Sequence, residues 1–456
     1  MPKATESAAA NDAWRRWDGH VATLGATLDF HIGRSARPEV AAHARLILLD
    51  TIGCAIAGRT APEVIALEQQ AAELEPGKFR FPGGSGLGLH PAVQVRAIGP
   101  TWHEACEGHA FAHGRPGIAT LAALLPLALA RDVSLGELID AFALGYEIGA
   151  RAGGWLRVKA GLHVGGNWPA LGAAAGVATL LGLGREKTMR AIDIAACQLP
   201  YSLYLPIRTG RNVRNGYLAH SATLGLDAAQ AALAGFDAPA DALAYYAEHY
   251  CQAAPQALPP ANSSLLLDAY LKPFAAVRHV HYGAIAARRI RNRLANDTHG
   301  IRRIVLSVYE EATVYCGNPQ PATPLAAQFS LSFGVAAMLC TGELDARSYE
   351  APVFQDPELR RLEALVEVRV DPLLTRDGQR GATLTVDAGA SRSLTETVAA
   401  DDPALLLSVD GVREKFVRNV ATAVPDENAR AFCDALLEGD AALAVNTVWR
   451  LLETNC

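Results

Sequence analysis

The chain has 456 residues, 50% hydrophobic and 19% charged, with 40 Gly and 25 Pro, a balance that excludes disorder, collagen-like repetition and a disulfide scaffold. At ordinary domain sizes this length predicts two or three folded domains around a large core. The net charge of −6 offers no basic field to a nucleic-acid backbone, so the expected partner is a small molecule.

Met1 to His20 is polar and Ala-rich, without the apolar stretch of a secretory leader, which makes the cytoplasm the expected location. The eight cysteines (54, 106, 197, 251, 316, 340, 433 and 456) form no CxxC pair and read as buried thiols in a reducing compartment. A first helix opens at Pro38, runs through Leu46, Leu49 and Ile52, and stops near Gly58, with proline early and glycine late. Gly117 to Ala130 and Trp168 to Gly184 are apolar runs, the first too short for a membrane span and interrupted by Pro126, the second mostly Gly and Ala. Both predict buried helices rather than membrane contact. Ser134 and Glu137 have the spacing of a capping box ahead of another apolar helix. Further helices are expected at 168–183, 185–198 and 216–234, too apolar all round to lie on a surface. From about residue 300 the rhythm turns to alternation at Ile304, Leu306 and Val308, at Val366, Val368 and Val370, and at Leu384 and Val386, which predicts strands. Helical pattern returns at 325–340 and from about 414 to 454. The expected fold is therefore mainly α: a large helical domain from residues 1–271 plus 402–456, and a smaller α+β domain at 272–401 inserted between them.

Reactive side chains concentrate in three places. The first is His103-Glu104-Ala105-Cys106-Glu107-Gly108-His109, continuing to His113 and Arg115; His109 and His113 are four apart and would share a helix face. His103-Glu104 begins like a zinc-protease motif but puts Glu107 where the second histidine belongs, so the ligand count fails and no metal is expected. The second is Arg208, Arg211 and Arg214, three cations in seven residues, which suit either a di- or tricarboxylate or a solvated loop. The third is Lys272-Pro273-Phe274 with Arg278 and His281, at the expected domain junction where ligand clefts are preferred. His163 stands in a glycine-flanked break before a buried helix, whose N-terminus favours an anion. Tyr315 lies beyond the first strand, at a strand-to-turn edge before a Gly-Asn-Pro turn, where packing is a commoner reading than catalysis. Arg288, Arg289, Arg291 and Arg293 form a basic helix face expected to meet solvent.

These segments resemble, in order and spacing, the MmgE/PrpD family. The resemblance spans roughly residues 22–455 and is carried by Leu49 to Gly58, Gly145-Tyr146-Glu147, the Gly161 to Pro169 break, Lys272-Pro273-Phe274 with His281, and Gln328-Phe329-Ser330. It implies a helical domain with an α+β lid, a homodimer, no cofactor or metal, and a cleft where a small polycarboxylate loses a proton beside a carboxylate, followed by loss of water, loss of carbon dioxide or inversion. It places His163, Lys272 and Tyr315 at family active-site positions. The chain departs from the pattern where the family's aspartate-rich stretch becomes Cys106-Glu107-Gly108-His109, where Arg115 replaces the histidine of a His-Pro pair, and where Arg211 and Arg214 replace a lysine and a histidine. Permanent cations thus stand in for proton carriers. The expectation is a lyase, dehydration first, with Arg115, Arg211, Arg214 and His281 binding carboxylates, His163, Lys272 and Tyr315 in the chemistry, and Glu107, His109 or His113 as the second acid-base group. An epimerase using two proton carriers, or a carboxylate-binding paralogue without catalysis, are the alternatives.

Overall fold

The computed structural model describes residues 13–389 and 392–453. Helix α1 (Pro38–Arg59) starts on Pro38 as expected, and α2 (Leu89–Trp102) crosses it so closely that a Cβ on Gly58 would meet the Gly99 carbonyl oxygen. Two two-residue strands, β1 (Gly108–His109) and later β4 (Ala269–Tyr270), pair antiparallel; β2 (Leu162–His163) and β3 (Ser202–Leu203) do the same. Between them lie α3 (Pro116–Arg131), α4 (Leu135–Trp155), α5 (Pro169–Leu180), α6 (Arg185–Ala196) and α7 (Tyr217–Ala234). Ser134 and Glu137 form the expected capping box on α4: the Glu137 amide donates to Ser134 Oγ at 3.2 Å and the Ser134 amide to Glu137 Oε2 at 2.8 Å. α3, α4 and α5 are buried along nearly their whole lengths, as their uniform apolarity requires. Gly145 and Gly172 let α4 and α5 touch backbone to backbone, since a Cβ on Gly145 would stand 2.7 Å from the Gly172 oxygen.

The α+β part contains α8 (Arg278–Arg293), strand β5 (Arg303–Val308), α9 (Glu310–Cys316), α10 (Leu331–Thr341), β6 (Val366–Val370), β7 (Gly381–Asp387) and β8 (Ser393–Ala399). The sheet order is β6-β5-β7-β8, with β5–β6 parallel and the other pairs antiparallel. Ile304, Leu306, Val308, Leu384 and Val386 point to the buried face, in one apolar cluster with Ile285 of α8 and Phe333 of α10. On the other face Thr383 pairs with Thr397 and Thr385 with Thr395 through their hydroxyls. The helix expected at 325–340 is interrupted: Ser330 Oγ accepts from the Phe333 amide and donates to the Asn318 carbonyl, so α10 starts afresh at Leu331.

The chain then returns to the helical body through α11 (Val409–Val420) and α12 (Asp426–Glu438), whose Val412, Phe416, Val420, Phe432 and Leu436 belong to the same apolar cluster as α1 to α7. Pro425 and Gly439 divide what the pattern joined, and residue 454 lies outside the described residues. Among described residues one helix, α1, is long and apolar enough to cross a membrane, and 67% of its most apolar 18-residue stretch is buried inside the protein. The reading of all cysteines as buried is corrected at Cys197, which is exposed, and Cys340, which is half-buried; Cys456 lies outside the described residues. The basic face of α8 is not simply solvated: Arg289 pairs with Asp402, Arg293 with Glu396, and Arg291 donates to the Leu339 carbonyl.

Candidate active site

A cavity of about 340 Å³ is lined from both parts of the chain. Its floor is organised by Glu104, a member of the first reactive cluster to which the sequence assigned no role at the site. Glu104 is 3% exposed, with left-handed backbone (φ 53°), a conformation a non-glycine residue holds only under constraint from its surroundings. Its carboxylate takes three cations from three separate segments: Arg115 Nη1 at 2.9 Å, Lys272 Nζ at 2.8 Å, and Arg214 Nη2. Lys272 also donates to the Glu104 carbonyl at 2.9 Å. Burial pushes the Glu104 carboxyl up, but Arg115, Arg214 and Lys272 outweigh it and hold it well below the ordinary range. The floor itself is braced from behind: Lys415 of α11 donates to Asp50 of α1 at 2.6 Å, to the Ala105 carbonyl at 2.6 Å and to the Lys272 carbonyl at 3.0 Å.

Glu107 is fully buried at the mouth of α3, accepting from the Gly117 amide at 2.9 Å and the Tyr146 hydroxyl at 3.2 Å. Burial pushes its carboxyl up to about 7, the range suited to proton exchange at neutral pH. The β1–β4 pairing that puts Glu107 there needs Gly108, because a Cβ would lie 2.5 Å from the Tyr270 ring.

His163, on β2, accepts from the Gly165 amide at Nδ1, 2.9 Å. Its proton is thereby placed on Nε2. Burial, then Arg214 and Arg115, hold its pKa well below the usual value, so the imidazole is neutral and a donor in the resting site. His163 stacks on Tyr204 (centroids 6.2 Å), Tyr204 meets Tyr315 edge-on (5.6 Å), and Tyr315 stacks on His279 (5.8 Å), so an aromatic wall runs from the helical body to the α+β part. His279 hydrogen-bonds Tyr309 Oη through Nδ1 at 2.5 Å, and burial lowers its pKa to about 4. Tyr315 is on helix α9, not at a strand edge, and is 43% exposed at the mouth. Arg380 and Glu311 face the cavity from the α+β side and pair at 3.3 Å.

The expected residues divide accordingly. Glu107, His109, His113, Arg115, His163, Arg214, Lys272 and Tyr315 all line the cavity. His109 and His113 do not share a helix: His109 is in β1, while His113 is in a turn with φ 51° and is exposed. Both nitrogens of His109 are engaged, Nε2 with the Leu265 carbonyl at 2.8 Å and Nδ1 with the Ala112 amide at 3.2 Å, which leaves no site for substrate. Arg211 and His281 lie outside the lining. Arg211 is exposed because no buried carboxylate offsets its desolvation, as Glu104 does for Arg214 three residues on. His281 is wholly buried behind the site, bonded to the Ala276 carbonyl at 3.0 Å and packed edge-on against Phe274. Tyr204, His279 and Arg380 were missed, since no local pattern marks them, and Glu104 stood out only as part of an incomplete zinc-protease motif, with no role as a partner of cations. Among the described residues no three His, Cys, Asp or Glu are arranged to hold a metal ion.

Comparison with known proteins adds three findings. The MmgE/PrpD N-terminal domain matches residues 31–251, and the MmgE/PrpD C-terminal domain matches residues 274–438. The chain is similar to a cis-aconitate decarboxylase from Homo sapiens, 25% identical over 361 residues, covering 73% of this chain and 73% of that protein.

Proposed function

The chain belongs to the MmgE/PrpD family, and from that premise we propose that it is a cofactor-independent lyase that dehydrates a small di- or tricarboxylate. The observation that carries this is the floor of the cavity, where Arg115, Arg214 and Lys272 converge on one carboxylate and leave an excess of positive charge. Such a surface binds a substrate carboxylate and stabilises the second charge that forms when the neighbouring carbon loses its proton. Glu107 takes that proton, its carboxyl being poised near neutrality. The electron pair moves onto the carboxylate oxygens, where the cations and the His163 Nε2–H hold it. Its return forms the double bond and expels hydroxide, which Tyr315 protonates to water; the tyrosinate, open at the mouth, regains its proton from solvent. The same family reading extends to a homodimer as the assembly. The reading extends to a division at 1–271 plus 402–456 and 272–401 with the site between the two parts, supported by a cavity lining drawn from both stretches of chain.

The similarity to a cis-aconitate decarboxylase favours a second reading at the same site. In that reaction the carbon–carbon bond to a carboxylate breaks, carbon dioxide leaves, and the electron pair left on carbon takes a proton from a neutral donor.

Proton NMR in deuterated buffer, with citrate, methylcitrate, aconitate, tartrate and iminodisuccinate, separates these chemistries. Dehydration gives a new alkene or its hydrated partner, decarboxylation gives a product one carbon shorter, and deuterium entering unreacted substrate without elimination marks an epimerase. Normal turnover by both His163→Ala and Lys272→Ala would overturn the proposal.

A further inference from the structure

Glu104 has no place in the proton transfers above, yet it is the common partner of all three floor cations, drawn from the segments before α3, before α7 and after β4. It is buried, held in left-handed backbone, and tied to Lys272 through both side chain and carbonyl. Three cations and one carboxylate leave a net charge of plus two. A bound carboxylate brings one negative charge, and removal of the proton beside it makes two on the same pair of oxygens.

We propose that Glu104 is a positioning residue that tempers the floor's grip on bound carboxylates and fixes the three cations where the two-charge intermediate needs them. The inference rests on the carboxylate reading of the site. By cancelling one cation, Glu104 weakens the floor's pull on both substrate and intermediate, so the rate rests on where the three cations stand, since only interactions stronger in the transition state raise it. It also holds the three cations in one fan, so their donors need not reorganise as charge develops.

The test is calorimetric binding of tricarballylate and succinate, neither of which requires turnover. Wild type binds tricarballylate; Glu104→Gln, with a floor of plus three, is expected to bind it about tenfold more tightly, while Glu104→Asp stays within about threefold of wild type. On any substrate that turns over, Glu104→Gln lowers KM and kcat together, a signature that a merely structural role would not give. Equal or weaker binding by a folded Glu104→Gln overturns the role of Glu104 and leaves the carboxylate reading standing. Failure of wild type to bind either acid overturns both. Should Glu104→Gln not fold, Arg115→Gln tests the same count from the other side: at plus one, tricarballylate binding weakens about tenfold, and unchanged binding overturns the inference.

Discussion

Burial drives Glu107 and His163 each toward the neutral form, with opposite consequences for pH. Between the ordinary carboxyl pKa of 4.5 and about 7, the unfolded chain releases a proton that folded Glu107 keeps, so stability falls as pH rises through that window. The loss amounts to about 3 kcal/mol at most. Glu107→Gln removes it while keeping an acceptor for the Gly117 amide, so denaturant titrations should show the variant gaining on wild type from pH 4 to pH 8; a constant difference would contradict the assignment. Its turnover should be lost along with the rise in rate near pH 7. His163 works the other way: below 6.5 the unfolded imidazole takes a proton that the folded one refuses, so stability falls as pH drops. Nitrogen NMR of His163 should report Nε2–H and bare Nδ1 from pH 5.5 to 8, and an imidazolium signal at pH 6.5 would rule out the donor role.

At the scale of elements, the sequence speaks where neighbours along the chain decide the outcome. Pro38, the Ser134–Glu137 box and the alternation at Ile304, Leu306 and Val308 announced α1, α4 and β5, because caps and periodicity are local chemistry. The site was legible only in part. His163, Lys272 and Tyr315 stood out through the family resemblance, but nothing around Glu104 reveals that cations 11, 110 and 168 residues away will close on it. Arg211 and Arg214 look alike in sequence, and only the fold decides which one meets a carboxylate. The helix read across His109 and His113 failed because Gly108 must pass against Tyr270, which forces extended backbone there. Glycines carry a related message at Gly145: Gly145→Ala would press a methyl 2.5 Å from Thr120 Cγ2 and 2.7 Å from the Gly172 oxygen. Thermal unfolding should show a loss of about 1–3 kcal/mol, with the cavity unchanged in anion binding.

Across the whole molecule, the Asp50–Lys415 pair joins the beginning of the chain to its end beneath the active site. Lys415→Met would leave Asp50 buried without its cation and free the Ala105 and Lys272 carbonyls, a cost of about 3–5 kcal/mol by denaturant unfolding. The double variant Asp50→Leu with Lys415→Met should recover part of that stability, because two uncharged partners need no pairing, but not the catalytic rate. Full recovery of rate would mean that the brace does not position the floor.

The same brace orders events in time. During synthesis Glu104, Arg115, Arg214 and Lys272 all leave the ribosome well before Lys415, so a chain halted near residue 400 can build its helical body while the floor still lacks its last support. Refolding must likewise close a loop of more than 300 residues before the site is set, which makes recovery of activity slower than recovery of helicity.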